Sequence, residues 1–334
     1  MTPQTLEDRL SQPSEADIAF MRRIEGDILI LGAGGKMGPS LATRARRAAD
    51  AAQSKSRVVA VSRFSSEDAA RHLTDCGVET VSCDLLDRQQ IASLPDAPNV
   101  IFLAGRKFGS TDNQPLTWAT NVLLPALIAE RYQDSRIVAL SSGNVYPIAA
   151  TAATEQTPPS PIGEYAQSVL GRERVFEFFS ARDQTPVALI RLNYAIDLRY
   201  GVLLDIGRRV WERKPVPLTT GRVNVIWQGD ANSMCLRALD LATSPPRILN
   251  VTGPETLHVR WIAERFGEHF GIAPEFEGSE APTALLSDSS LACSLLGAPA
   301  VRPEAMIELT ANWIRADQPT FNKPTHFEVR DGKF

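Results

Sequence analysis

The sequence predicts a doubly wound α/β fold: a parallel (Rossmann) sheet with helices on both faces, followed by a smaller C-terminal lobe. Three observations carry this. Apolar runs of strand length recur between Asp27 and Leu192, with helical patterns between most of them. A glycine-rich turn stands directly after the first run and opens a helix. Beyond residue 193 the alternation loosens, and Pro215, Pro217 and the pair Pro245-Pro246 act as breakers.

Taken in order, residues 1–25 read as a polar lead-in with one short helix. Ser14 is its N-cap, and Ile18, Met21 and Ile24 share a face. Residues 26–192 form the expected dinucleotide-binding domain. Its strands fall near 27–31, 58–62, 78–82, 100–103, 137–140 and 187–192, with the first helix from about Lys36 to Ala52. Residues 193–318 form a substrate-binding lobe partly interleaved with the sheet. Val223–Trp227 and Ile248–Val251 read as strands there, and Val259–Phe270 and Glu304–Ile314 as helices. Residues 319–334 are a polar tail expected to lie along the surface.

Composition bounds the function. The 334 residues are 43% hydrophobic and 22% charged, as in an ordinary globular protein. The net charge of -4 lacks the basic surplus of a nucleic-acid binder. Cys76, Cys83, Cys235 and Cys293 form no C-x-x-C pair, which argues against a zinc ribbon or a disulfide framework. There is no basic-then-apolar leader, and no apolar stretch near the roughly 20 residues of a membrane span. A soluble, cytoplasmic protein is the expectation. The four histidines show no metal-binding spacing, so no metal is expected, and no G-x-S-x-G elbow anchors a hydrolase triad.

The turn is Gly32-Ala33-Gly34-Gly35-Lys36-Met37-Gly38. Gly32 permits the tight turn, Gly34 or Gly35 lets backbone N–H groups approach a pyrophosphate, and Gly38 permits close packing of helix on strand. The helix N-terminus adds partial positive charge. At the end of the second strand, Ser62 and Arg63 stand where a carboxylate would bind ribose hydroxyls and repel a 2′-phosphate. Arg63 instead suits a phosphate. NADP is therefore the expected cofactor, with NAD the alternative.

The spacing Gly32-x-x-Gly35-x-x-Gly38 also resembles the extended short-chain dehydrogenase/reductases, and more narrowly the NAD-dependent epimerase/dehydratase family. The likeness runs from about residue 27 to 316. It implies that Asp84 and Leu85, after the third strand, and Leu103-Ala104-Gly105, after the fourth, line the cofactor site. Asn121 resembles the family's helix asparagine. Ser141-Ser142-Gly143-Asn144-Val145-Tyr146 resembles its S-S-x-x-V-Y segment, which makes Ser142 the catalytic serine. Tyr165 is implied as the catalytic tyrosine and as a cofactor contact. Asn144 and Asn193 are implied as substrate contacts, and Arg199, where the substrate lobe begins, as a grip for a phosphate or carboxylate. The likeness further implies a homodimer through the helices that carry Asn121 and Tyr165.

One departure stands out: the family's Y-x-x-x-K lysine is Val169 here. A tyrosine with an ordinary pKa of about 10 is ionised only on the order of a thousandth near neutrality, so a base role for Tyr165 needs another cation. Arg172, seven residues on, and Lys107, in the loop after the fourth strand, are the candidates. Lys107 is the expected substitute, because a βα loop reaches the crevice readily. Two functions remain open. One is an NAD(P)-dependent epimerase, dehydratase or reductase acting on a sugar, nucleotide sugar or sugar derivative. The other is a catalytically lapsed dinucleotide-binding sensor or scaffold.

Overall fold

The computed structural model describes residues 1–64 and 67–333. Its centre is a seven-stranded sheet in which every neighbouring pair is parallel. The strands are β1 (Ile28–Leu31), β2 (Val58–Ser62), β3 (Glu79–Ser82), β4 (Asn99–Phe102), β5 (Arg136–Ser142), β6 (Val187–Leu192) and a seventh, Arg247–Val251. The spatial order is seventh strand, β6, β5, β4, β1, β2, β3. The order reverses between β1 and β4, which sets the ligand crevice outside their C-terminal ends.

The apolar runs are continuous because both faces are covered. Ile28 and Ile30 point into one core layer and Leu29 and Leu31 into the other, and all four are fully buried. The six expected strands are present within a residue or two. The seventh joins the same sheet rather than the lobe, parallel to β6.

The lead-in differs from its expectation in two ways. The capped helix Glu15–Arg23 is present, with Ser14 and Asp17 forming a capping box. A second helix, Pro3–Leu10, precedes it. Neither is peripheral. Leu6 and Leu10 are fully buried in the core of the C-terminal lobe, beside Ile196, Val202 and Trp227. Phe20 and Met21 pack into the sheet's core. Asp17 is buried against Arg44 at 2.7 Å. Two leucines one helical turn apart are a weak apolar signal, and burial by the lobe supplies what propensity does not.

The lobe is built on the helices Val202–Trp211, Val259–Phe270 and Pro303–Arg315. The expected strand over 223–227 is two short pieces, Arg222–Val223 and Ile226–Trp227. The tail is more than a surface wrap, since Phe327 is buried in the lobe core. Among the described residues, no helix is long and apolar enough to cross a membrane.

Candidate active site

The site begins at the end of β1. Gly32 has a φ of 85°, open to glycine at little cost, and a Cβ there would sit 2.6 Å from the backbone nitrogen of Ala104. Strand ends β1 and β4 thus approach more closely than any side chain would allow. A cavity of about 460 Å³ runs from this turn across the sheet end. Gly34, Gly35, Ser62, Arg63, Asp84, Leu85, Leu103, Ala104 and Gly105 all line it. A Cβ at Gly34 would lie 2.5 Å from Ser62 Oγ, so this backbone stays bare toward the cleft. Bare glycine backbone at a helix start, with a cleft of this length, fits a dinucleotide.

A second cavity of about 360 Å³ adjoins it on the lobe side. Gly32, Gly35, Lys36, Met37, Gly38, Gly105, Lys107, Ser142, Asn144, Tyr165, Arg172 and Asn193 line its wall, together with Arg106, Phe108, Tyr194, Tyr200 and Thr325. β5 runs on to Ser142, which caps the short turn Gly143–Val145 by accepting from the Asn144 backbone. That fixes the hydroxyl at the strand tip, where it also donates to Asn144 Oδ1 at 3.0 Å. Tyr165 lies in the first turn of the helix Gly163–Asp183, with its phenol beside the Ser142 side chain. Burial pushes its phenol above the ordinary range, while Arg172 and Ser142 pull it down. The serine and tyrosine named from sequence are therefore together at one wall.

The cation beside them differs from expectation. Arg172, not Lys107, carries the favourable charge interaction with Tyr165. Its guanidinium lies under the crevice, donating to Leu140 O at 2.6 Å and Asn121 Oδ1 at 2.9 Å. Burial lowers its pKa to about 10, so it stays charged at neutral pH. Lys107 does reach the cavity, 5.9 Å from the Tyr165 ring centre, and donates to Thr325 O at 3.3 Å. Val169 is fully buried with Val145, Tyr146, Ala153 and Leu285.

Two further expectations change. Asn121 lines neither cavity: it is wholly buried and occupied. Its Oδ1 accepts from Arg106 N and Arg172, and its Nδ2 donates to Arg106 O and to Ser168 Oγ. It is a positioning residue, and a π-helical turn at Ala119–Leu123 aims it there. Arg199 is held by Asp197 at 2.5 Å and by Glu7, away from both cavities, so it has no free fork for a substrate anion. Asn144 and Asn193 do line the second cavity.

Arg106, Phe108, Tyr194, Tyr200 and Thr325 were not singled out in the sequence. Phe108 follows Lys107 in the same loop and so carried a faint positional signal. Thr325 comes from the tail and carried none.

A parallel doubly wound sheet, a bare glycine turn at its switch point and a serine–tyrosine pair at the crevice define a dinucleotide-fold protein of the short-chain dehydrogenase type. The chain belongs to the NAD dependent epimerase/dehydratase family, whose model matches residues 28–196, just over half its length. Among solved structures it is similar to UDP-glucuronic acid 4-epimerase from Bacillus cereus, in complex with UDP-glucuronic acid and NAD (18% identity, TM-score 0.71). It is likewise similar to UDP-glucose 4-epimerase from Thermotoga maritima with UDP-glucose (17%, TM-score 0.71) and to MoeE5 with UDP-glucose and NAD (22%, TM-score 0.70). Each alignment covers 87% of this chain and 99% of the other. At these identities the likeness is one of fold. No curated protein sequence matches.

Proposed function

We propose that the protein is a nicotinamide-dinucleotide-dependent oxidoreductase of the epimerase/dehydratase type acting on a sugar or sugar derivative. The observation that carries this is the placing of Ser142 and Tyr165 together at the wall of a cavity that opens onto the dinucleotide cleft. Residues 26–192 serve as the dinucleotide-binding domain and residues 193–318 as the substrate lobe. The NAD and UDP-sugars held by the similar structures support the class of cofactor and substrate.

When bound, the dinucleotide accepts or donates the hydride. Ser142 Oγ hydrogen-bonds the reacting oxygen, and Tyr165 Oη gives or takes its proton. Arg172 biases that phenol toward its ionised form, and Asn121 holds Arg172 and the Gly105-Arg106 backbone in place. The bound form is NADP. Arg63 lies exposed at the rim of the cleft beside Ser62, with no carboxylate at that strand end to repel a 2′-phosphate.

The protein works in the cytoplasm as a homodimer through the helices that carry Asn121 and Tyr165. Leu116, Trp118, Leu123 and Phe178 leave an apolar surface exposed on those helices, and Cys76, Cys83, Cys235 and Cys293 are free thiols. Turnover of Tyr165→Phe on a verified sugar substrate tests the reading. A fall of about a hundred-fold or more is expected, and unchanged turnover would overturn the assignment.

A further inference from the structure

The second cavity is cationic: Lys36, Arg106, Lys107 and Arg172 stand in its wall, and no carboxylate is among its described lining residues. Lys36 leaves the glycine turn and crosses toward the lobe. Its ammonium lies 3.1 Å from the Tyr200 ring centre and 4.2 Å from that of Phe108. Lys107 and Lys323 reach the same Phe108 ring, at 5.9 and 5.8 Å. Lys36 and Lys107 line this cavity; Lys107 also lines the dinucleotide cleft, whereas Lys36 is absent from that wall, where Gly34 and Gly35 are exposed. The Lys36 backbone thus belongs to the cofactor turn and its side chain to the substrate side. Burial and the neighbouring Lys107 and Lys323 hold Lys36 down to about 7, against the pull of Asp197 and Asp205. Burial also lowers Lys107, to about 8. Two ammonium groups held together in a half-dry pocket repel one another, and a bound anion removes that cost.

The far side of the cavity is closed by the tail. Phe321 N donates to Arg199 O at 3.0 Å, and Thr325 N donates to Asp205 at 2.8 Å. Arg330 donates to Thr283 O at 2.8 Å. Gly332 lies so close to the start of the Tyr165 helix that a Cβ on it would be 2.3 Å from Ile162 O. Between this strap and the lobe only about 30 Å³ remains, lined by Lys107, Asn144, Tyr194 and Phe327. That is room for a few waters at most, far below the roughly 300 Å³ at which ligand pockets begin. The main cavity, about 360 Å³, is at the low end of the roughly 300–1,000 Å³ of ligand pockets, and it must also admit the reactive end of the dinucleotide.

We infer that the substrate is a small anionic sugar derivative, bearing a carboxylate or a phosphate and joined to no nucleotide, whose charge is held between Lys36 and Lys107. The inference rests on the function proposed above and narrows its substrate class. The ring faces of Phe108 and Tyr200 keep the two lysines extended into the cavity. The strap excludes a nucleotide beyond the sugar.

The test uses the full-length protein saturated with dinucleotide, titrated calorimetrically with glucuronate, glucose 6-phosphate, glucose and UDP-glucuronate. One of the two free anions is expected to bind at least about ten-fold tighter than glucose and than UDP-glucuronate, the contribution of a charge-assisted contact. The glucuronate and glucose 6-phosphate arms separate carboxylate from phosphate. Lys36→Met and Lys107→Met should each weaken that anion about ten-fold or more, and weaken the dinucleotide by a smaller factor. Tightest binding of UDP-glucuronate, equal binding of glucose, or no binding of either free anion would overturn the inference while leaving the proposed function standing. So would a Lys36→Met variant that loses dinucleotide and anion affinity by the same factor, since Lys36 would then serve the cofactor phosphates. If the wild-type protein binds no dinucleotide at all, the proposed function fails first and this inference falls with it.

Discussion

Replacing Arg172 by methionine should raise the pKa of Tyr165 and move the pH dependence of turnover with it. In the native protein two opposed influences act on this phenol. Burial pushes its pKa upward, and the Arg172 guanidinium pulls it down. Arg172 is itself depressed only to about 10, so at pH 7 its charge is present almost in full. An opposite charge close to a buried phenol favours its ionised form, the tyrosinate. Methionine keeps the bulk and removes that preference. The acidic limb of the profile should therefore move to higher pH. The rate at fixed neutral pH should fall by less than about ten-fold for each pH unit that the limb moves, because a higher-pKa tyrosinate is also a stronger base. Arg172→Lys should restore part of the shift. The substitution also strips a donor from Leu140 O, at a cost of about 1–3 kcal/mol in stability. Urea unfolding must confirm that the variant is folded at the assay temperature. An independent readout is the ultraviolet titration of tyrosinate, with Tyr165→Phe in the same background subtracted. If both the limb and the tyrosinate titration of Arg172→Met coincide with those of the wild type, Arg172 does not act on Tyr165.

Three further outcomes follow from the same geometry. Val169→Lys, which would recreate the family's Y-x-x-x-K pattern, should not raise activity, because the site is fully buried among Val145, Tyr146, Ala153 and Leu285. Burying an ammonium there should cost several kcal/mol, or about 3 at the least, so a urea midpoint equal to the wild type's would contradict it. Arg63→Ser should weaken NADP about ten-fold or more and leave NAD nearly unchanged in fluorescence titrations; an equal loss of both would reject the NADP assignment. Gly105→Ala places a Cβ 2.6 Å from Arg172 Nη2, the mobile end of a long side chain. It should cost less than about 1 kcal/mol in stability yet shift the acidic limb upward, in the direction of Arg172→Met, and an unshifted profile would show that the guanidinium position is immaterial.

Much of the fold was legible because burial on both faces of a parallel sheet leaves an unmistakable trace, as in Ile28-Leu29-Ile30-Leu31. The glycine turn was legible for a related reason. Close approach of Gly32 to the Ala104 backbone, at a φ of 85°, admits no side chain, and only glycine satisfies it. What escaped depends on long-range partners. The strand Arg247–Val251 has an ordinary strand pattern, but nothing local tells it to join β6 rather than the lobe. The helix Pro3–Leu10 has two apolar anchors, and both find their partners far along the chain. Thr325 enters the cavity through contacts with Asp205 and Lys107, from a segment with no periodicity. Arg199 misled in the opposite sense, because its partners Asp197 and Glu7 lie two and 192 residues away and only the first is visible in sequence.

Valine at 169 and arginine at 172 are best understood as one change rather than two. At about 100° per residue, position 169 lies about 40° to one side of Tyr165 around the helix, and position 172 about 20° to the other. Both positions can therefore address the same crevice, at one and two turns from the tyrosine. Side chains on a helix lean toward its N-terminus, so an arginine two turns on reaches back toward Tyr165 where a short residue could not. Gly105 supplies the space, and Asn121 and Leu140 supply acceptors that fix the guanidinium once it arrives. With the charge delivered from 172, a lysine at 169 would add a second cation with no acceptor among Val145, Tyr146, Ala153 and Leu285, and an apolar residue packs there instead. On this argument the lost lysine is no sign of lapsed chemistry. The charge has moved one turn along the helix, and the hydrogen bonds that hold it were visible only once strand, loop and helix were placed together.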